Sequence, residues 1–122
     1  METVSYVPKL CEGEGAPFKG CVVLRKPGYE EKLELHVNQE ILEIISDAEE
    51  GKTPSKMTPK EAMAMVKMVR WSYQFFEKVD ITRIKDKVYF KDLDSLRYDS
   101  SCGPILQDIA MKLVHGFQLG NG

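Results

Sequence analysis

The chain has 122 residues, 43% of them hydrophobic and 30% charged, with a formal net charge of -2. That length holds one domain with a core of its own and is too short for two ordinary ones. The near balance of charge argues against a protein that lives on nucleic acid or anionic lipid, since either needs a concentrated basic surface. Residues 1–20 carry no apolar stretch after a basic start, as a signal peptide would, and no apolar run approaches the ~20 residues that span a bilayer. The cysteines, Cys11, Cys21 and Cys102, are odd in number and far apart, which fits a cytosolic protein with reduced thiols. Their spacing matches no zinc pattern, and His36 and His115 are the only histidines.

Residues 2–10 hold Val4, Tyr6 and Val7 before Pro8, compatible with a short strand or an ordered arm. The glycines and proline of residues 11–17 read as a loop, so residues 1–17 form an arm or loop segment. Residues 18–25 are β-rich through Cys21, Val22, Val23 and Leu24, and Lys26-Pro27-Gly28 ends them with turn chemistry. The next stretch supports two readings. Leu33, Val37, Ile41 and Ile44 form a helical stripe over residues 29–48, with Glu30, Glu31 and Glu34 suited to the positive end of a helix dipole. Leu33, Leu35 and Val37 alternate as a strand would, giving a hairpin of residues 32–37 with residues 18–24. Residues 49–57 are a polar connector.

Thr58, Pro59 and Glu61 then supply a capping box with proline at the first helical position. A helix over residues 58–79 has an unusually wide apolar face. Ala62, Met65, Val66, Val69, Tyr73 and Phe76 form its centre, and Ala64, Met68, Trp71, Phe75 and Val79 extend it round one flank. Lys60, Lys67, Arg70, Gln74, Glu77 and Lys78 crowd the remaining polar strip, with Met63 among them as an exception. Beyond it, Val79, Ile81 and Ile84 alternate, then Val88 and Phe90, with the turn of a small hairpin near Asp86. Leu93 and Leu96 mark a single helical turn. The last helix begins near Pro104, shows an apolar stripe through Ile105, Leu106, Ile109, Ala110, Leu113 and Val114, and stops at Gly116. The fold class expected is α+β and mostly helical: a short N-terminal β segment, a long central amphipathic helix, a small β-hairpin and a C-terminal helix, all in one domain.

Active-site constellations are missing. There is no phosphate loop, dinucleotide fingerprint or metal-ligand cluster, so no cofactor and no catalytic residue is expected. Ser100, Ser101 and Cys102 stand before the last helix and His115 near its end, separated by roughly 20 Å at 1.5 Å per residue. His115 reads as a complement to the C-terminal end of the helix dipole, and the many carboxylates lie in segments that look solvent-facing.

The chain is therefore expected to work by contact rather than catalysis. Ala64, Met68, Trp71 and Phe75 recur at helical spacing and lie on one line. Either both flanks of the helix are core, or this line, with Met63 beside it, meets a partner. Trp and Phe are efficient anchors, and the thioethers of Met63, Met65 and Met68 can repack against varied apolar surfaces.

The order of segments carries a resemblance. A β-rich start, Val22-Val23-Leu24-Arg25-Lys26-Pro27, precedes the acidic Tyr29-Glu30-Glu31-Lys32-Leu33. A connector follows, then the helix ending Tyr73-Gln74-Phe75-Phe76-Glu77-Lys78-Val79-Asp80, a small strand pair and the terminal helix. This layout resembles the tail assembly chaperones of long-tailed bacteriophages, over most of the chain and without a short diagnostic motif. The resemblance implies a small protein of the host cytoplasm that coats the helical tape measure protein, helps recruit the tail tube protein and leaves before the virion is complete. It also implies a homo-oligomer, and a longer form made by a programmed ribosomal frameshift, with which a slippery heptamer encoding Leu119-Gly120-Asn121 is compatible. The alternatives are a structural tail or head–tail connector protein that stays in the particle, and a small cytosolic regulatory or interaction protein. A regulator would need a basic recognition helix, whereas the last helix has only Lys112 beside His115. An enzyme completed between subunits is a further alternative.

Overall fold

The computed structural model describes residues 2–36 and 57–116. Strands β1 (Thr3–Tyr6), β2 (Phe18–Arg25), β3 (Phe76–Arg83) and β4 (Val88–Phe90) form one antiparallel sheet in the order β1-β2-β3-β4. The described residues also form the helices α1 (Tyr29–His36), α2 (Pro59–Ser72), α3 (Leu93–Arg97) and α4 (Gly103–Met111), the last followed by a π turn at Lys112–Gly116.

Alternation decides which face of the sheet is buried. Phe18, Val22 and Leu24 of β2 point inward, as do Val79 and Ile81 of β3 and Phe90 of β4, while Lys19, Lys78, Asp80 and Tyr89 are exposed. Pairing sets these side chains in rows, Tyr6 beside Val22 beside Val79, and Gly20 beside Ile81 beside Phe90. The ladder shifts register between Val23 and Leu24, which face Lys78 and Phe76, so Glu77 is the extra residue of a bulge. Ala64, Met65, Met68, Trp71 and Phe75 from the α2 segment, Ile105, Leu106, Ile109 and Ala110 from α4, and Leu113 and Val114 beyond it complete one core with the sheet.

The capping box at the start of α2 forms as its residues dictate. The Glu61 amide donates to Thr58 Oγ1 at 3.1 Å and the Thr58 amide donates to Glu61 Oε1 at 2.9 Å. The long central helix expected over residues 58–79 does not form. α2 has 14 residues, a single 3-10 turn (Tyr73–Phe75) follows, and the chain becomes β3 at Phe76. Phe75 and Val79 fit a helical period, but Tyr73, Phe75, Phe76, Val79, Ile81 and Thr82 are aromatic or β-branched, and pairing with β2 along the whole of β3 wins. The broken end is sealed by side chains: Ser72 Oγ donates to the Val69 carbonyl, Gln74 Nε2 to the Trp71 carbonyl at 2.9 Å, and Arg25 Nη2 to the Gln74 carbonyl at 3.4 Å.

The α+β class holds, but the separation of the β segment from the hairpin is likewise corrected. β2 and the long β3 join into the centre of a four-stranded sheet. The N-terminal arm supplies its edge strand β1, and β4, the second strand of the small hairpin, is the far edge. The alternative hairpin of residues 32–37 with residues 18–24 does not occur, because β1 and β3 occupy both edges of β2 and residues 29–36 are helical. The expected continuation of that helix to residue 48, the connector at 49–57 apart from Met57, and Leu119-Gly120-Asn121 lie outside the described residues.

Polar contacts hold the distant ends together. Tyr6 Oη donates to Asp108 Oδ1 at 2.7 Å, and the Lys9 amide donates to Asp108 Oδ2 at 2.7 Å, tying the N-terminal segment to α4. Burial, together with the Asp108 carboxylate, pushes the Tyr6 phenol well above its ordinary value. Arg83 leaves the end of β3, lies 5.5 Å over the Phe90 ring, and donates to Asp86 Oδ1 at 3.0 Å, to Asp99 Oδ2 at 2.8 Å and to Ser101 Oγ at 2.7 Å. No helix among the described residues is long and apolar enough to cross a membrane.

Two stability predictions follow from the sheet. Gly20 has φ +123, and a Cβ there would collide with the Asp80 carbonyl of β3; Gly20→Ala should destabilise the fold by about 2–4 kcal/mol in urea titrations, through strain at a left-handed residue and forced separation of the central strands. Asp99 is held down at about 2 by the Ser101 hydroxyl and the Arg83 guanidinium, from an ordinary 3.8. Between those values the unfolded chain binds the proton first, so stability is lost as pH falls through this window. Urea midpoints measured from pH 3.8 down to pH 2 should decline less steeply in Asp99→Asn, the remaining slope including that of Asp86, which Arg83 also holds down.

Candidate functional site

Helix α2 presents two apolar arcs, and the structure assigns them opposite roles. Ala64, Met68 and Phe75 are buried and Trp71 is only 9% exposed. The line expected to meet a partner is therefore core, the first of the two readings that its spacing allowed, and these four residues offer no surface. Met63, the fifth expected contact residue, does lie outside, 61% exposed. The arc that the periodicity places at the centre of the apolar face is mostly turned outward: Ala62 and Val66 are exposed, Val69 and Tyr73 half-buried, and Met65 buried at the border.

Trp71 and Phe75 are fixed where α1, α2 and β2 converge. Their rings meet edge to face with centroids 4.7 Å apart. Trp71 Nε1 donates to the Glu31 carbonyl of α1 at 3.0 Å. The Arg25 guanidinium lies 4.6 Å over the Phe75 ring and donates to both carboxylate oxygens of Glu31 at 2.8 Å. These hydrogen bonds from Arg25 hold the Glu31 carboxyl below the usual range. Because this pair orients the core face of α2 toward the sheet, it also turns the opposite arc away from it.

That opposite arc forms one wall of a groove of about 330 Å³. Met65, Val66, Val69, Arg70 and Tyr73 come from the α2 side, Arg97 and Tyr98 from the end of α3, and Gly103, Leu106 and Gln107 from α4. The Arg97 guanidinium lies 4.6 Å from the Tyr73 ring centroid and 5.5 Å from that of Tyr98. Tyr98 itself is 80% exposed and Val66 47%. Met63 and Val66 continue the apolar surface along α2, so that from Met63 to Tyr73 the stripe runs for roughly 15 Å at the rise of a helix. A Cβ added at Gly103 would meet nothing within 4 Å, so the groove is open there. Among the described residues the lining holds two guanidinium groups and no carboxylate.

Sequence reasoning named Met63 but missed Val66, Arg97 and Tyr98 as site residues. Val66 belongs to the apolar face that the spacing reveals, but the spacing does not say which flank of that face carries the surplus. Arg97 and Tyr98 follow a helical turn whose docking beside α2 no local pattern announces. The nucleophile candidates are placed away from ready chemistry: Cys102 is buried, and burial raises its thiol and pushes that of Cys11 up to about 11. His115 Nε2, in the π turn after α4, is buried and has no hydrogen-bond partner among the described residues. No group of three potential metal ligands gathers among the described residues.

A core role for Trp71 has a measurable signature. Trp71→Ala should lower unfolding free energy by about 3–5 kcal/mol through the cavity it leaves, and chemical denaturation should read that loss, with a further contribution from the Glu31 carbonyl deprived of its donor.

The chain matches no family model, no curated protein and no solved structure.

Proposed function

We propose that this chain works by contact, as a tail assembly chaperone that holds an apolar helical stretch of the tape measure protein in the host cytoplasm and helps bring tail tube subunits to it. Two lines support the reading. The order of segments in the sequence resembles that family, and the outward arc of α2 leaves apolar area uncovered beside a groove. The second is the observation that carries it: Met63 and Val66 are exposed on the helix whose other face already fills the core. Surface of this kind, contiguous and edged by polar groups, is the form a helix-binding site takes. Methionine and valine there make contact without demanding one exact partner shape, which suits a protein that must coat many successive segments.

Co-expression with the tape measure protein of the same phage tests the reading. A soluble complex is expected, and the chain should be missing from purified virions by mass spectrometry. A tape measure protein as insoluble with the chain as without it would overturn the proposal, and the chain's presence in virions would favour a structural tail or connector component. Val66→Asp should change the unfolding free energy by no more than the small range of surface substitutions, about 0.5 kcal/mol, while greatly reducing the soluble complex. Gly103→Leu, which places a side chain in open groove space, should do the same.

A further inference from the structure

We propose that the groove between α2 and α4 selects an amphipathic helix that carries carboxylates along the margin of its apolar stripe, with Arg70 and Arg97 reading that acidic edge. The inference rests on the chaperone reading above and specifies the partner segment. It starts from an imbalance of charge. In a chain with a net charge of -2, the described residues that line the apolar groove include two arginines and no carboxylate.

Neither arginine is committed to the fold as Arg25 and Arg83 are. Among the described residues the Arg70 guanidinium has no carboxylate partner, and Arg70 is exposed on α2. Arg97 faces only Asp94, at 3.5 Å and with that aspartate 72% exposed, a pair of the weak surface kind. The Arg97 guanidinium lies near the rings of Tyr73 and Tyr98. Stacking contacts engage the faces of a guanidinium and leave its edge N–H groups to donate to a carboxylate. A group already held in position loses less freedom when its partner arrives.

The shape favours a helix over a small anion. The apolar stripe from Met63 to Tyr73 runs for roughly 15 Å, about three turns of a partner helix, whereas a small carboxylate would contact only the arginine end. Val66, Val69 and Leu106 would receive the partner's apolar side chains, and the arginines would meet acids placed beside them. The same charge and exposed tyrosine are compatible with stacking nucleobases, so an oligonucleotide is the competitor the test must include.

The experiment uses the full chain and two synthetic amphipathic peptides of about 20 residues, long enough to become helical on binding. Both carry the same leucine and alanine stripe; one is flanked by glutamates and the other by lysines. Fluorescence anisotropy should give the glutamate peptide roughly three- to tenfold tighter binding at low salt, with the preference shrinking as salt is raised. The double variant R70E/R97E, checked for unchanged circular dichroism, should lose or invert the preference while still binding through the stripe. Equal affinity for both peptides, a preference that survives high salt, or displacement of the glutamate peptide by single-stranded oligothymidylate would overturn the charge selection. Failure of this inference and of the chaperone reading can be told apart. A chain that solubilises tape measure protein but binds both peptides equally refutes only the acidic edge. One that prefers the glutamate peptide yet leaves tape measure protein insoluble refutes only the biological partner.

Discussion

The structure depends on one change of conformation, the passage from helix to strand between Ser72 and Phe76. The chain there must leave an α-helix without exposing its last carbonyls and enter the centre of a sheet. Ser72, Gln74 and Arg25 donate to those carbonyls, and the Trp71–Phe75 contact fills the space inside the bend. Arg25 serves both sides of this junction, since it also carries the bidentate pair to Glu31 and lies on the Phe75 ring. Strand β2, helix α1, helix α2 and the approach to β3 are thus fixed relative to one another by a few side chains around a buried aromatic pair.

From that junction the use of the remaining apolar residues follows. A helix laid on one sheet can bury one side only. With Ala64, Met68, Trp71 and Phe75 inward, Ala62, Met63, Val66 and Val69 lie to the other side, and among the described residues α3 and α4 line the groove beside Val66 and Val69. Leu106 and Tyr73 line the groove, while Met63 and Val66 are left to solvent. The surplus that invites a partner is the remainder after the core has taken its share, and its position is set by which arc the sheet accepted.

The arginines divide along the same line. Arg25 and Arg83 are tied by short hydrogen bonds to Glu31, Asp86 and Asp99 and join elements far apart in the sequence. Arg70 and Arg97 line a groove to which the described residues add no carboxylate, and Arg97 keeps only the exposed Asp94 at its side. Asp108 plays the matching structural part for the N-terminus, accepting from Tyr6 and Lys9. Charge that builds the fold is paired internally, and charge in the groove lies near aromatic rings or is exposed to water.

Local chemistry made several features legible in the sequence by itself. The capping box at Thr58 and Glu61, the β character of residues 18–25, the end of that strand before Lys26-Pro27-Gly28 and the apolar stripe of the last helix each depend on neighbours within a turn or a strand. The excess apolar area on the segment after Thr58 was also readable, because composition and spacing state how much there is. Where α2 ends was not readable, since Phe75, Phe76 and Val79 satisfy helical and strand periods alike and only the distant pairing of Val22 with Val79 and Cys21 with Asp80 separates them. Which arc of α2 faces the core was undecided for the same reason: two adjoining apolar arcs have similar local energies, and the choice falls to the surface they meet. The groove belongs wholly to tertiary structure, because Val66, Arg97 and Leu106 become neighbours only when the sheet has fixed α2 and the last helices have packed against it.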